Sequence, residues 1–410
     1  MKIKSPLVNI YRKGSLTIQL LKIVMIIIFS SCQISENKVE PEVTFNMIYN
    51  ENNFQGNYDP LDIRQTSDSG YLILSARDKW SISILKTDKW GAVEKLTHLE
   101  APYANALPLI LEKDTSYYFF CMNELSLHTY LMKINKETWQ PEVDKVYNDI
   151  TYPLATSMVP ENAVLLQSYD RVGRNTQLSK LDGNFNIVWK KTYPILEDQE
   201  EPIISHLTRI GKRLPFFTGY LGDPSKANTY FLNGYYNFSM SMLFVSINTG
   251  ELKGVVNGYQ DKGAISAAIM TSGNNMALSR YSFEDNFLLP RQEINTSAIN
   301  FSGDLKGTQL PELSLNAPVH IKKLTVAGKE ILIYATETKS NQIVLYTYDA
   351  ASGNLLGTRY WGNQYPYKVA SFTATADGGL AIVGKTYVAG KFPRIYLIKI
   401  SAAEFSRMAN

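Results

Sequence analysis

The sequence predicts an all-β repeat protein that closes into a seven-bladed β-propeller. Three observations carry this. A strand–turn–strand unit recurs along the 410 residues, three times at a spacing of 47. It is written almost identically near both ends of the chain. A spare strand stands ahead of the first unit, and the last unit lacks one. About 40–50 residues per four-stranded unit is the period of a propeller blade.

The first unit reads Ile63-Arg64-Gln65-Thr66-Ser67-Asp68-Ser69-Gly70-Tyr71-Leu72-Ile73-Leu74, then Ser83-Ile84-Leu85-Lys86-Thr87-Asp88. The last reads Phe372-Thr373-Ala374-Thr375-Ala376-Asp377-Gly378-Gly379-Leu380-Ala381-Ile382-Val383, then Ile395-Tyr396-Leu397-Ile398-Lys399-Ile400-Ser401. Each is a strand, a tight turn, an apolar strand, a loop and a third apolar strand. Asp-x-Gly is expected to supply the positive φ that a tight hairpin needs. Between them, third strands are expected at 131–135, 178–182, 243–248, 298–302 and 345–349. Each ends on a polar residue: Asp88, Asn135, Asp182, Asn248, Ser302, Asp349 and Ser401, at steps of 47, 47, 66, 54, 47 and 52 residues. Residues 43–49 read as a strand that completes the last blade and closes the ring, which removes open sheet edges. Six or eight blades stay open, because blades four and five depart from the rhythm. An up-and-down barrel competes, but a 47-residue period is too long for it.

The Thr-x-Asp-Gly-Gly turn and the Leu-Ile-Lys-hydrophobic strand resemble the repeats of bacterial secreted propellers, akin to kelch-like and pyrroloquinoline-quinone-type propellers. The resemblance covers 43–401 and implies fold, not activity, since propellers host many unrelated functions.

The N-terminus has a different character. Lys2, Lys4, Arg12, Lys13 and Lys22 precede an apolar run from Ile23 to Phe29, then Ser30, Ser31 and Cys32. A basic region, a short apolar region and small residues make a signal-peptide pattern. The run is shorter than the roughly 20 apolar residues a spanning helix needs. Phe29-Ser30-Ser31-Cys32 resembles a bacterial lipoprotein signal, with Phe29 in place of the usual Leu. The resemblance implies lipidation of Cys32 and a membrane anchor, and the absence of Asp at position 33 leans toward the outer membrane. Glu36, Glu40 and Glu42 resemble the acidic tether of surface-exposed lipoproteins in Bacteroidetes-like bacteria. An ordinary cleaved signal is the alternative. The domain reading is therefore a signal over 1–32, a tether over 33–41 and a propeller over 42–410, in the cell envelope on its periplasmic or surface side.

Charge narrows the partners. Setting aside the five N-terminal cations leaves 36 of the 41 Lys and Arg, against 38 Asp and Glu. Such a body has no strong field for nucleic acid. Cys121, in Tyr117-Tyr118-Phe119-Phe120-Cys121-Met122, reads as a buried inert thiol.

No catalytic signature emerges. His98, His128, His206 and His320 lack metal-ligand spacing, and one cysteine beyond Cys32 excludes thiolate zinc sites. There is no Gly-x-Ser-x-Gly elbow and no phosphate loop. Asp68, Asp88, Asp182, Asp349 and Asp377 fall at turns, where carboxylates accept backbone N–H bonds. The sequence thus points to no metal, no cofactor and no catalytic residue. His206 and His320 are expected near the starts of first strands, facing a central channel with Asp62, Arg64 and Lys322.

Aromatic residues suggest a binding face. Tyr58, Tyr103, Tyr152, Tyr259 and Tyr365 recur in the connections between blades, with Trp361 and Tyr367 nearby. In blade four, 230–238 holds Tyr230, Tyr235 and Tyr236, and is read as an insertion forming either a docking flap or elongated blade strands. Blade five is given a second insertion at 283–290. The functional expectation is a monomeric, non-enzymatic lipoprotein that binds a protein or glycan. A polysaccharide lyase or glycosidase and an outer-membrane assembly scaffold are the alternatives.

Overall fold

The computed structural model describes residues 44–409, except 51–53, 115, 212, 261, 363–364 and 389–391. Cys32 and the segments read as a signal (1–32) and a tether (33–41) lie outside the described residues.

Strand β1 (Phe45–Ile48) opens the fold. Blade 1 follows as β2 (Tyr58–Gln65), β3 (Tyr71–Arg77), β4 (Ser81–Thr87) and β5 (Val93–Ala104). Blade 2 is β6 (Leu111–Lys113), β7 (Ser116–Asn123), β8 (His128–Ile134) and β9 (Pro141–Thr151). Blade 3 is β10 (Pro153–Val159), β11 (Ala163–Asp170), β12 (Asn175–Leu181) and β13 (Ile187–Pro194). A helix, α1 (Glu200–Leu207), precedes blade 4, which is β14 (Phe217–Asp223), β15 (Lys226–Tyr236), β16 (Ser239–Val245) and β17 (Leu252–Asn257). Next come β18 (Gly263–Ser272), β19 (Asn275–Ser282), β20 (Asp285–Glu293), β21 (Ile299–Phe301) and β22 (Thr308–Gln309). Blade 6 is β23 (His320–Val326), β24 (Lys329–Glu337), β25 (Ile343–Asp349) and β26 (Leu355–Trp361). Last are β27 (Tyr367–Ala374), β28 (Leu380–Val388), β29 (Phe392–Ile400) and helix α2 (Ala402–Met408).

These strands form antiparallel meanders. Blades 1 and 2 share one eight-stranded sheet, joined where Tyr103 and Ala104 of β5 pair with Asn123 and Met122 of β7. Divided at that seam, the described strands give six four-stranded units and one of five, where β21 is added to blade 4. Seven apolar clusters each draw on two consecutive units. The cluster of Ile63, Ile73 and Leu85 with Ala381, Val383 and Leu397 joins the first unit to the last. The sheets therefore stack face to face around a closed ring, which is a β-propeller. Second and third strands are buried on both faces, so they read as near-continuous apolar runs rather than alternating ones. Each buried Leu, Ile or Phe contributes roughly 1.5–3 kcal/mol.

Closure follows the expected route. β1 pairs antiparallel with β29, Phe45 opposite Lys399 and Ile48 opposite Tyr396. Tyr49 extends the pairing through its N–H to Ile395 (3.0 Å), and its hydroxyl donates to the Gly91 carbonyl (2.8 Å).

The turn motif does more than turn. Asp68 accepts hydrogen bonds from Thr66 Oγ1 (2.5 Å) and the Gly70 N–H (3.0 Å), and pairs with Lys86 Nζ at 2.8 Å. Asp377 repeats this with Thr375 (2.6 Å), Gly379 (3.2 Å) and Lys399 (2.9 Å). Lys86 and Lys399 are buried within the blades. The positive φ falls on the middle residue, Ser69 (65°) or Gly378 (80°). The glycine after it serves close approach instead. A Cβ on Gly70 would stand 2.1 Å from the Thr87 carbonyl oxygen, and one on Gly379 would stand 2.3 Å from that of Ile400.

Blades 4 and 5 require corrections. The strand expected at 298–302 is not the third strand of blade 5, a position held by β20. Ile299–Phe301 instead pairs parallel with β17 at the edge of blade 4. The fourth strand of blade 5 is β22, only two residues long. Residues 283–290 are a tight turn at Phe283 and Glu284 followed by β20, not an insertion. Residues 230–238 are blade strand and hairpin, not a flap: Tyr230, Phe231 and Leu232 are buried in β15. The added chain in this region lies earlier, at 195–216, and contains α1.

Candidate functional site

Because strands alternate in direction within each blade, the hairpins joining second to third strands lie at one end of the ring, beside the connections between blades. Hydrogen bonds tie the two sets of loops together. Asn105 N–H donates to the Trp80 carbonyl (2.7 Å), Leu196 to Asn237 (2.9 Å), Phe283 to Lys262 (2.8 Å) and Tyr367 to Asn341 (2.9 Å). This end is called the connecting face. The opposite, turn face carries the Asp-x-Gly turns.

First strands of neighbouring blades touch around the axis. Pairing registers shift at Pro60/Asp62, Pro153/Ala155, Ile265/Ala267 and Val369/Ser371, so a bulge recurs in the first strands of blades 1, 3, 5 and 7. A bulge redirects side chains. Four of the channel candidates meet in this region. Asp62 accepts from Ser371 Oγ (2.7 Å) and the Ile110 N–H (2.8 Å). Lys322 Nζ donates to Ser371 Oγ (3.2 Å) and to the Phe372 carbonyl. Burial, assisted by Lys322, pushes His320 down to about 4, so its imidazole is neutral at pH 7. Burial also lowers Lys322, against the opposing pull of Asp62. Arg64, beyond them toward the turn face, is held by Glu112 (2.5 Å). This is a satisfied polar network bridging blades 1, 6 and 7.

His206 does not join it. It sits on α1, where its Nδ1 accepts the Leu214 N–H (2.9 Å) and its ring meets Phe216 edge-on at 4.9 Å. Burial lowers it well below its ordinary value, and Arg213 and Arg209 add to the effect. Sequence periodicity could not foresee α1, although the 66-residue step between Asp182 and Asn248 marks the excess chain.

The 195–216 segment reaches across to blade 1. Arg209, at φ 58°, ion-pairs through Nε with Asp59 Oδ2 (3.1 Å). Lys385 of blade 7 holds the other oxygen of Asp59 at 2.6 Å. Burial alone would raise Asp59, but Lys385, Arg209 and Arg213 reverse this and lower it. Beside them, Glu337 is raised by burial despite Lys368 at 3.5 Å. None of Asp59, Arg209, Arg213, Glu337 and Lys385 stands out in the sequence, because they come from four separate stretches of chain.

The aromatic candidates divide. Tyr58, Tyr152 and Tyr230 are core residues and offer no ring to solvent, which corrects the expectation for them. Tyr103 is half-buried edge-on to Tyr130 (5.7 Å). Tyr235 and Tyr236 are half-buried against core clusters, and Trp361 packs on the cluster between blades 6 and 7. Tyr259 and Tyr365 are exposed, and Tyr259 lies 5.5 Å from Phe283. The sequence reading missed the aliphatic tips of this face, Leu125 (83% exposed), Val172 (97%) and Leu196, and took in Phe238 and Phe283 only as ends of the segments 230–238 and 283–290.

Elsewhere, burial alone raises the Cys121 thiol, in keeping with an inert side chain. Asp88, Asp182 and Asp349 accept N–H bonds in their turns. A shallow cleft of about 760 Å³ on the turn face spans the hairpins of blades 4, 5 and 6, and includes the Lys323–Glu330 pair (3.0 Å). Among the described residues no group of three or more His, Cys, Asp and Glu could hold a metal ion, and no helix is long and apolar enough to cross a membrane.

No family model matches the chain, and no curated protein matches it by sequence. Solved structures resemble it in shape. A catalytically inactive virginiamycin B lyase from Staphylococcus aureus, crystallised with quinupristin, has 10% identity and a TM-score of 0.47 over 87% of this chain and 99% of that one. The Dos1 propeller has 11% identity and a TM-score of 0.46 over 84% and 77%. The propeller domain of the Trilobed protease from Pyrococcus furiosus has 10% identity and a TM-score of 0.43 over 84% and 98%. No functional argument rests on likeness at this level.

Proposed function

We propose that this protein is an envelope-anchored lipoprotein whose propeller is a non-enzymatic interaction module, docking a partner on its connecting face. The observation that supports this is the set of exposed apolar tips. Leu125, Val172, Leu196, Phe238 and Phe283 project from loops of blades 2 to 5 on that one face. Solvent-facing loops normally carry polar residues, and apolar tips repeated along one face give a protein partner surface to cover. Aliphatic tips favour a protein partner, because sugars dock chiefly on aromatic faces. The Tyr259–Phe283 pair supports the glycan reading as a second choice. Catalysis is not part of the proposal. The buried carboxylates are engaged by cations or backbone, and the neutral His206 is engaged by backbone.

The test is capture from the native envelope by full-length protein, compared with the double variant Phe238→Ser, Phe283→Ser. Loss of a specific partner with unchanged melting supports the face. Equal capture by the variant refutes it. Cys32→Ser tests the anchor: the protein should move from the membrane fraction to the soluble one, and retention in the membrane would contradict lipidation there.

A further inference from the structure

We infer that the channel mouth on the connecting face is a binding site for a small oxyanion, a molecule bearing a carboxylate or phosphate group. Four cations and two carboxylates gather there: Arg209, Arg213, Lys368 and Lys385 with Asp59 and Glu337. They come from blades 1, 6 and 7 and from the 195–216 segment. Asp59 is shared between Lys385 (2.6 Å) and Arg209 (3.1 Å), and Glu337 is engaged by Lys368 (3.5 Å).

Arg213 is left over. Its guanidinium donates to the His206 carbonyl and has no carboxylate within 4.0 Å among the described residues. Arginine does not shed its proton in proteins. Its charge reaches Arg209, Asp59 and His206 alike, so it adds to a net positive mouth. Gathering like charge at partly buried positions is costly unless an opposite charge completes the set. The neutral His206 beside it cannot supply that charge.

The cluster is also open on one side. Lys368 keeps 44% of its side chain exposed and Lys385 24%, against 6% for Arg209. Arg209 forms a floor and the lysines a rim. This layout suits an anion entering from solvent. A guanidinium fork matches two oxygens of one carboxylate or phosphate. The site is separate from the loop tips, so either can fail without the other.

The test is calorimetric titration of the soluble propeller (Cys32→Ser, full chain) at low ionic strength. The probes are inorganic phosphate, citrate and glucuronate, with glucose as the uncharged control. At least one anion should bind with Kd below about 1 mM, while glucose does not. Arg213→Gln should weaken that binding roughly tenfold or more, the loss expected of a charge-assisted pair. Lys368→Gln, on the exposed rim, should weaken it by a smaller factor and serves if the arginine variant does not fold. Phosphate against the two carboxylates decides which oxyanion fits. The inference is overturned if no anion binds, if glucose matches glucuronate, or if both variants bind as the parent does.

Discussion

Blade 7 and blade 5 share a four-stranded plan but are held by different means. In blade 7, Asp377 ties the first hairpin to the third strand through buried Lys399 (2.9 Å), and blade 1 repeats the device with Asp68 and Lys86 (2.8 Å). In blade 5 the corresponding turn is Ser-Gly-Asn-Asn and carries no such pair. A buried arginine substitutes: Arg280 donates to the Leu305 carbonyl (2.7 Å) and stacks 3.9 Å over Phe287. Blade 5 also gives up an outer segment, since Ile299–Phe301 serves blade 4. The repeat is thus most regular on the two blades that flank the closure. There the fourth strand of blade 7 arrives from the distant N-terminus, and chain connectivity does nothing to hold it. Middle blades, joined by continuous chain on both sides, tolerate divergence.

The largest expected effect tests the seam. Asp377→Asn leaves Lys399 buried without a carboxylate and should cost about 3 kcal/mol in urea unfolding. Asp68→Asn should cost about 1 kcal/mol, because Glu94 still holds Lys86 at 2.7 Å. Equal losses would break the comparison between the two copies. Acid should act on the same groups. Burial alone would raise Asp68 and Asp377, but Lys86 and Lys399, with the Thr and Gly donors, lower both. Their stabilisation is therefore present above the ordinary carboxylate pKa of about 3.9 and is lost as pH falls through the lower folded value. Between about pH 4 and pH 2 the parent should lose stability more steeply than Asp377→Asn; parallel curves would contradict this.

A middle-sized effect tests blade 4. A Cβ on Gly254 would stand 2.6 Å from the Thr296 carbonyl oxygen and 2.7 Å from that of Ala298. Gly254→Ala should displace β21 at a cost of about 1–3 kcal/mol and speed hydrogen exchange at 298–301. Gly303→Ala, with nothing within 4 Å of its Cβ, is the control. Unchanged exchange at 298–301 would show that β21 does not depend on this close approach. The smallest effect refines blade 1. Ser69→Gly relieves a left-handed backbone at φ 65° and should gain up to about 1 kcal/mol, while Gly378→Ser loses a similar amount. A loss at Ser69→Gly would mean that its side chain matters more than its backbone.

The ring was legible in the sequence because blades bury both faces of their inner strands. That requirement writes apolar runs such as 71–74 and 117–122 at a fixed interval, and it placed six of the seven third strands correctly. The seventh was misassigned at 298–302 because a short edge strand and a blade strand look alike over five residues. The tyrosines misled for a related reason. Tyr58 starts a first strand and Tyr152 immediately precedes one, where connection ends and core begins, and spacing cannot tell a ring pointing outward from one pointing inward. The mouth was illegible. Arg209 and Asp59 are far apart in the chain and meet only because the 195–216 segment reaches across to blade 1, which no periodic signal reports.

The closure also sets an order of events. The partner of Phe45–Ile48 is Tyr396–Lys399, separated from it by nearly the whole described chain. While the protein is being synthesised, six blades can form by local meander pairing, but the first strand has nothing to pair with until the last blade emerges. Loop closure over such a span is entropically expensive and slow, so the ring-closing step comes last. Until then two unpaired edges stand open, β1 and β29, each apolar and each a template for another chain. A truncation in blade 7 should therefore aggregate rather than yield a shorter propeller, and a nascent chain is most exposed in the interval before residue 400 is added.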